Sequence, residues 1–333
     1  MLFFAVCACF ALFPEKVLYG AQTGLALCIN VVIPSLLPFM LITTCVIKSN
    51  FSRPLGVLLG KVLTPITNMS PDGCICFITG ILGGYGAGAR AIYENYKQKR
   101  ISLAEAERLM AFCNNAGPLF VMGTIGVGFF LSKTVGIALL VIQVITSLIC
   151  ARLFSGNFVK EKSSVREEWD FYKKNKPSLG ELIISSAIES GSAIINVCVF
   201  VITFSAVLEI LPFGQYPFLS GILEVTRGVA EISRTGTSSL PVISALIAWG
   251  GMSVHLQADS LSGGLFGKKL YYAGKICASL IAFFIAKVTG TDIYVIMFAS
   301  VISIAVLLVL KIIKNLFFRE YTRQHEYRQQ PHS

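Results

Sequence analysis

Apolar segments long enough to cross a lipid bilayer recur along this chain from its first residue to about Leu316. A hydrocarbon core about 30 Å thick asks for roughly 20 such residues per helical crossing. Only 14% of the residues are charged and 54% are hydrophobic, against roughly a quarter charged in an ordinary soluble domain. That balance excludes a soluble enzyme. Lipid offers no partner to an unsatisfied backbone group, so each crossing must satisfy its own hydrogen bonds. The predicted fold is an all-α, polytopic transmembrane helix bundle.

The candidate crossings are about 1–13, 17–47, 73–93, 109–131, 133–154, 181–211, 239–261, 270–289 and 291–316. Two further apolar stretches, about 55–68 and 213–229, are short and interrupted by Pro65 or by Gly214, Pro217 and Gly221. They are predicted as re-entrant or interfacial pieces. Pro34 and Pro38 predict a break or kink inside 17–47. No basic residue precedes Leu2, Phe3 and Phe4, and Pro14, Glu15 and Lys16 interrupt the first apolar run, so neither a cleaved signal peptide nor a lipid anchor is expected.

The net charge of +10 fits the basic loops on the cytoplasmic side of membrane proteins and calls for no nucleic-acid partner. Nine crossings with an outside N-terminus and a cytoplasmic C-terminus leave only Lys48, Arg53, Lys61, Lys133, Arg227, Arg234 and Lys287 outside. That bias selects this orientation in a bacterial cell membrane. The ten cysteines show no metal-ligand spacing and are expected as small apolar helix residues. No metal or cofactor is expected.

The chain divides into a first membrane repeat at 1–155, a polar cytoplasmic linker at 156–178, a second repeat at 179–316 and a basic cytoplasmic tail at 317–333. The linker carries Lys173, Lys174 and Lys176, read as a solvated loop or a contact to anionic lipid. Ser102 and Glu105 have the spacing of a capping box and start a helix. The order of parts repeats across the linker. First come a span with Ser35 between Pro34 and Pro38, a Gly-rich segment at 80–90, and a helix opening on Asn114, Asn115, Ala116, Gly117 and Pro118. Then come a span with Glu189, a segment around Glu224, and a helix with Gly250, Gly251 and Ser253. Interrupted membrane segments at corresponding places in two halves point to a transporter-type site between them.

The glycines at 80, 83, 84, 86 and 88, with Tyr85 among them, read either as close helix packing or as a discontinuous helix whose backbone faces a solute. Asn114 and Asn115 are costly in an apolar helix unless paired or wet, and Pro118 leaves the Asn114 carbonyl without its helical donor. They read as helix glue or as solute contacts. Glu189, Glu224, His255 and Gln257 lie in apolar surroundings, where ionisable groups are expensive and functional by default. His255 and Asp259, four residues apart on one helical face, are expected to pair, as a proton relay or as a surface hydrogen bond. No Gly-x-Ser-x-Gly elbow or two-histidine metal motif is present, so no enzyme is expected.

Taken in order, Pro34–Phe39, Gly84–Ala89, Phe112–Phe120, Leu223–Gly228 and Gly250–Gln257 resemble the sporulation integral membrane protein YlbJ family. The resemblance covers nearly the whole chain. The chain departs from the family pattern at Gly86, where proline usually follows Gly-Tyr. The resemblance implies kinship with nucleoside-recognition, or gate, domain proteins, a spore-forming source, and a role in spore cortex or envelope formation in the mother-cell or forespore membrane. The expected function is a carrier of a small polar solute. Ser35, Gly84, Tyr85, Gly86, Asn114, Asn115 and Gly117 would supply contacts from one half, and Glu189, Glu224, Gly250, Gly251, Ser253, His255 and Gln257 from the other. A coupling proton or sodium ion would sit on Glu224 or Glu189. Membrane lipid and a second copy of the chain are the other expected partners. The competing expectation is a membrane assembly or signalling factor that transports nothing.

Overall fold

The computed structural model describes residues 8–154, 156, 164–212, 214–264, 267–292 and 295–296. The start of the first predicted crossing, most of 291–316 and the basic tail lie outside these. The described residues contain helices and no strand. Among the described residues, five stretches are long and apolar enough to span a membrane: Pro14–Lys48, Lys133–Phe154, Leu179–Ile210, Thr237–Leu261 and Lys268–Thr289.

The first stretch consists of α1 (Pro14–Leu27), a π-helical turn at Cys28–Val32 and α2 (Ile33–Lys48). The turn lies directly before Pro34, where the ring removes a donor and crowds the preceding carbonyl. The expected break is thus a π-bulge. Gly20 and Gly24 bring α1 against the backbone of Leu179–Ile210. Cys28, Val32, Leu36 and Met40 pack there on Ala193, Ile194, Val197 and Val201. Between helices in lipid the hydrophobic effect gives little drive, and close approach of small residues replaces it. These helices form a scaffold, and the remaining core packs beside it.

α3 (Ser52–Thr67) is amphipathic and lies along one face of the bundle. Asn50 donates to the Asn175 carbonyl (3.2 Å) and Asn68 to the Gly156 carbonyl (3.1 Å), so both ends meet the linker. The 55–68 stretch thus belongs to one amphipathic helix that Pro65 does not interrupt. The linker is less loop-like than its polarity suggests. Val165–Asn175 is a helix opened by a Ser164–Glu167 capping box, and Trp169 and Tyr172 dock edge-on against Phe51.

The segment read as a crossing at 73–93 is instead a helical hairpin, α4 (Pro71–Gly83) and α5 (Ala87–Lys97). Its ends meet through an Arg100–Asp72 ion pair. Its arms touch at glycines, since a methyl on Gly80 would lie 3.3 Å from the Gly88 Cα. A second hairpin, α6 (Pro217–Leu223) and α7 (Val225–Ile232), turns at Glu224. A methyl on Gly221 would lie 3.4 Å from the Gly228 Cα. Two broken helices accompany the hairpins. One runs as Leu103–Met110, an extended break, and a π-helix at Leu119–Phe129. The other is α8 (Leu240–Trp249) and α9 (Gly251–Leu261), interrupted at Gly250. Lys133–Phe154 and Lys268–Thr289 pack between them.

The hairpin at 71–97 corrects the sidedness expected of the first half. Lys48, placed outside, and Arg90, placed inside, share the Glu189 carboxylate. Arg53, also placed outside, pairs with Glu168 of the linker helix at 2.6 Å. One fewer crossing before the linker moves Lys48, Arg53 and Lys61 to the linker face. Among the described residues this leaves Lys16, Lys133, Arg227, Arg234 and Lys287 for the opposite face, so basic residues concentrate more strongly than in the nine-crossing layout. In a cysteine-free background, Lys61→Cys and Lys173→Cys are expected to react with an impermeant thiol reagent from the same side of sealed vesicles. Lys133→Cys should react only from the other. Opposite-side labelling of Lys61→Cys and Lys173→Cys would overturn the hairpin assignment.

Candidate functional site

The hairpin tips reach the interruptions in the broken helices. Gly84 and Gly86 both have φ +82°, a region that side chains rarely adopt. They reverse the chain within three residues and thrust Tyr85 forward. Its hydroxyl donates to the Ile247 carbonyl at 2.6 Å, in the last turn of α8. Gly84 lies against Gly117, because a methyl on it would sit 3.2 Å from the Gly117 nitrogen. At the other tip the Glu224 carboxylate accepts from the Arg227 N–H at 2.7 Å and caps α7. Gly251, at φ +81°, would carry a methyl 3.0 Å from the Val225 nitrogen. Trp249 donates to the Ile222 carbonyl at 3.0 Å. The first tip thus satisfies a carbonyl beside the break after α8, whereas at the second the broken helix supplies the donor for a hairpin carbonyl.

A narrow cleft of about 20 Å³ lies between this arrangement and the scaffold, with room as it stands for about one water-sized group. Val32, Ser35, Leu36, Val197 and Val201 line one side, and Tyr85, Phe120, Glu224, Val254 and Gln257 the other. Gln257 is 1% exposed, and neither its amide nitrogen nor its amide oxygen has a hydrogen-bond partner among the described residues. Glu224 is equally buried. Ser35 donates to the Val32 carbonyl at 3.2 Å and keeps its oxygen as an acceptor. An amide presenting both donor and acceptor beside a carboxylate suits a polar solute that carries groups of both kinds.

Asn114 and Asn115 stand behind the cleft and mainly hold helices together. Asn114 Oδ1 accepts from the Ala89 N–H of the first hairpin (2.9 Å), and Asn115 Oδ1 accepts from Ser147 (2.7 Å). Gln143 donates to the Ala116 carbonyl at 2.8 Å. The Asn114 carbonyl, freed by Pro118, accepts from the Lys275 ammonium. Lys275 is missing from the site expected from sequence, which counted it with the cytoplasmic charges. Its position well inside an apolar span was the available signal.

Gly86, Ser253 and Glu189, also expected at the site, are not in the cleft lining. Gly86 supports the hairpin turn, where a methyl would meet Leu261 at 2.6 Å. Ser253 is buried with its hydroxyl unpartnered among the described residues, outside the cleft lining. Glu189 belongs to a separate polar pocket of about 210 Å³ near the linker face, with Lys48, Thr79, Arg90 and Glu94. Leu36 lines the cleft and Met40, one turn further along the same helix, lines this pocket, so the two adjoin along one seam.

The expected His255–Asp259 pair does not form. His255 Nδ1 meets the Tyr271 hydroxyl at 2.8 Å and its ring lies edge-on to Trp249, while Asp259 takes Lys268 at 2.8 Å. The aromatic cage offers the imidazole a nearer partner than the exposed carboxylate. Two residues apart on a helix is about 200° of rotation, so His255 faces away from the Gln257 cleft.

Glu189→Gln tests the linker-side pocket. Ion pairs this exposed contribute about 0–1 kcal/mol, so Tm is expected to fall by no more than about 3 °C. The salt sensitivity of Tm should weaken with it. Unchanged salt sensitivity would show that the Lys48–Glu189–Arg90 cluster does not hold the seam in solution.

No family model matches the chain, and no solved structure does. The chain is similar to the sporulation integral membrane protein YlbJ of Bacillus subtilis (strain 168), with 27% identity over 289 residues, covering 74% of this chain and 71% of that one. The five apolar spans among its described residues agree with an integral membrane protein of several crossings. The motifs that carry the YlbJ resemblance fall on the scaffold kink, the two hairpin tips and the two helix breaks.

Proposed function

We propose that the chain is a carrier in the membrane of a sporulating cell, binding a small polar solute in the cleft between the scaffold and the hairpin tips. One observation carries this reading: the Gln257 amide is buried with both of its polar atoms unpaired among the described residues. Burial without partners is costly unless a ligand supplies them. Glu224 is the group placed to hold a coupling proton or sodium ion, because it shares the cleft. Glu189 is paired with two cations and serves the linker-side entrance. The two hairpins and two broken helices form corresponding halves, and the concentration of basic residues makes the linker face cytoplasmic.

A second reading, assembly or signalling through the linker face, is favoured by Trp169 and Phe171, which stay 39% and 38% exposed on the linker helix. One experiment separates the two. Variants are expressed in Bacillus subtilis lacking its own YlbJ, and heat-resistant spores are counted. The carrier reading expects Gln257→Leu to fail while deletion of 165–175 is tolerated. The reverse pattern overturns it. In parallel, the purified full chain is heated with nucleosides, amino acids, organic acids and peptidoglycan precursors. A bound solute at one hundred times its Kd stabilises by about 2.7 kcal/mol.

A further inference from the structure

Lys275 is 3% exposed, seven residues into the apolar helix Lys268–Thr289. Among the described residues no carboxylate lies within ion-pairing distance of its ammonium. A lone buried cation is expensive, and its cost is offset only by close polar contacts. Two backbone carbonyls provide them. The ammonium donates to the Asn114 carbonyl, in the break of one broken helix, and at 3.2 Å to the Ala248 carbonyl, in the last turn of α8. The Tyr85 ring, from the tip of the first hairpin, lies 5.8 Å away.

Both carbonyls are groups that interruption of a helix leaves short of donors. Pro118 removes the donor from Asn114, and the chain reverses hand at Gly250, with φ +91°, two residues after Ala248. The C-terminal end of a helix carries partial negative charge, so this junction attracts a cation. Converging carbonyls at interrupted membrane helices are also the equipment that coordinates a free monovalent ion.

We propose that the Lys275 ammonium is a tethered cation, occupying at the junction of the two broken helices the carbonyl site that a free monovalent ion would otherwise fill. The junction is then closed at all times without sodium, and any coupling ion acts at the cleft. The inference goes beyond the carrier reading and is measured by stability, so it stands or falls whether or not a solute is moved.

The test uses the full chain purified in detergent, as wild type and as Lys275→Ala, with unfolding followed at constant ionic strength in choline, sodium, potassium, ammonium or methylammonium chloride. Wild type is expected to unfold at the same temperature in all five, apart from any sodium effect that Glu224→Gln abolishes. Lys275→Ala should lose on the order of 5 °C in choline, and recover a large part of it in ammonium, methylammonium or sodium, which fit the emptied site. The variant is prepared in ammonium chloride throughout, so failure to obtain folded protein there counts against the proposal. So does a loss that no cation reduces, which would make Lys275 only a packing and hydrogen-bonding residue. Selective stabilisation of wild type by sodium, persisting in Glu224→Gln, would show a free ion at the junction and overturn the assignment. Lys275→Arg, which keeps the charge, should remain insensitive to the cation supplied, and sodium dependence in it would overturn the proposal equally.

Discussion

Gln257→Leu is expected to unfold at the same temperature as the parent or a few degrees higher, and to lose its response to solute. In the parent the buried amide has no partner among the described residues, and such a group costs about 1–3 kcal/mol. Leucine of similar volume removes that penalty without opening a cavity beside Val254 and Val32. The same substitution deletes the groups that would meet a solute. Losing one well-paired recognition group weakens binding about 10–100-fold, and spore yield in the complementation assay should collapse with it. Greater stability combined with lost function is what a binding residue gives and a core residue does not. A Gln257→Leu protein that unfolds several degrees lower, or that restores wild-type spore numbers, would remove Gln257 from the site.

Glu224 is expected to separate its two tasks between two substitutions. Glu224→Leu removes the oxygen that caps α7 at the Arg227 N–H, and the loss of such a cap costs about 0.5–2 kcal/mol. The tip of the second hairpin, where Val225 packs against Gly251, should loosen and Tm should fall. Glu224→Gln keeps an oxygen able to accept from the same N–H. Its fold should survive with a Tm close to wild type, while the removal of the negative charge abolishes ion or proton coupling and with it spore formation. Circular dichroism melts and spore counts on the same variants check both. If Glu224→Gln sporulates normally, the carboxylate is a cap and nothing more, and the coupling group must be sought elsewhere.

Most of the secondary structure is legible in the sequence, because membrane helices are dictated by local composition. The long apolar runs, the kink before Pro34 and the interrupted segment around Glu224 all follow from residues within a few positions of one another. The hairpin at 71–97 is the main departure. The 73–93 segment is apolar enough to read as a crossing, and the reversal depends on Gly84 and Gly86 adopting a left-handed backbone while Gly80 and Gly88 touch. Counting apolar residues does not register direction. That single misreading carried the charges of Lys48 and Arg53 to the wrong face, and the Glu189 cluster restores them.

The candidate site divides in the same way. Ser35, Tyr85, Glu224 and Gln257 could be singled out because polar groups in apolar runs are expensive wherever they end up, and the structure brings these four to one cleft. His255 and Asp259 were equally conspicuous, yet a nearby tyrosine and lysine claim them separately. Which expensive groups share a cavity depends on the rotation and tilt of helices far apart in the chain. The Lys275 ammonium and the Asn114 carbonyl are 161 residues apart, and no local pattern announces their contact. That this protein lives in lipid, where its helices are interrupted, and that the Asn114 carbonyl needs a donor are all readable from residue order. Which donor arrives, which way the glycine-rich segment turns, and which buried polar groups are left facing the cleft are settled by contacts between distant helices. Local chemistry sets what each segment must satisfy, and packing between distant segments sets how.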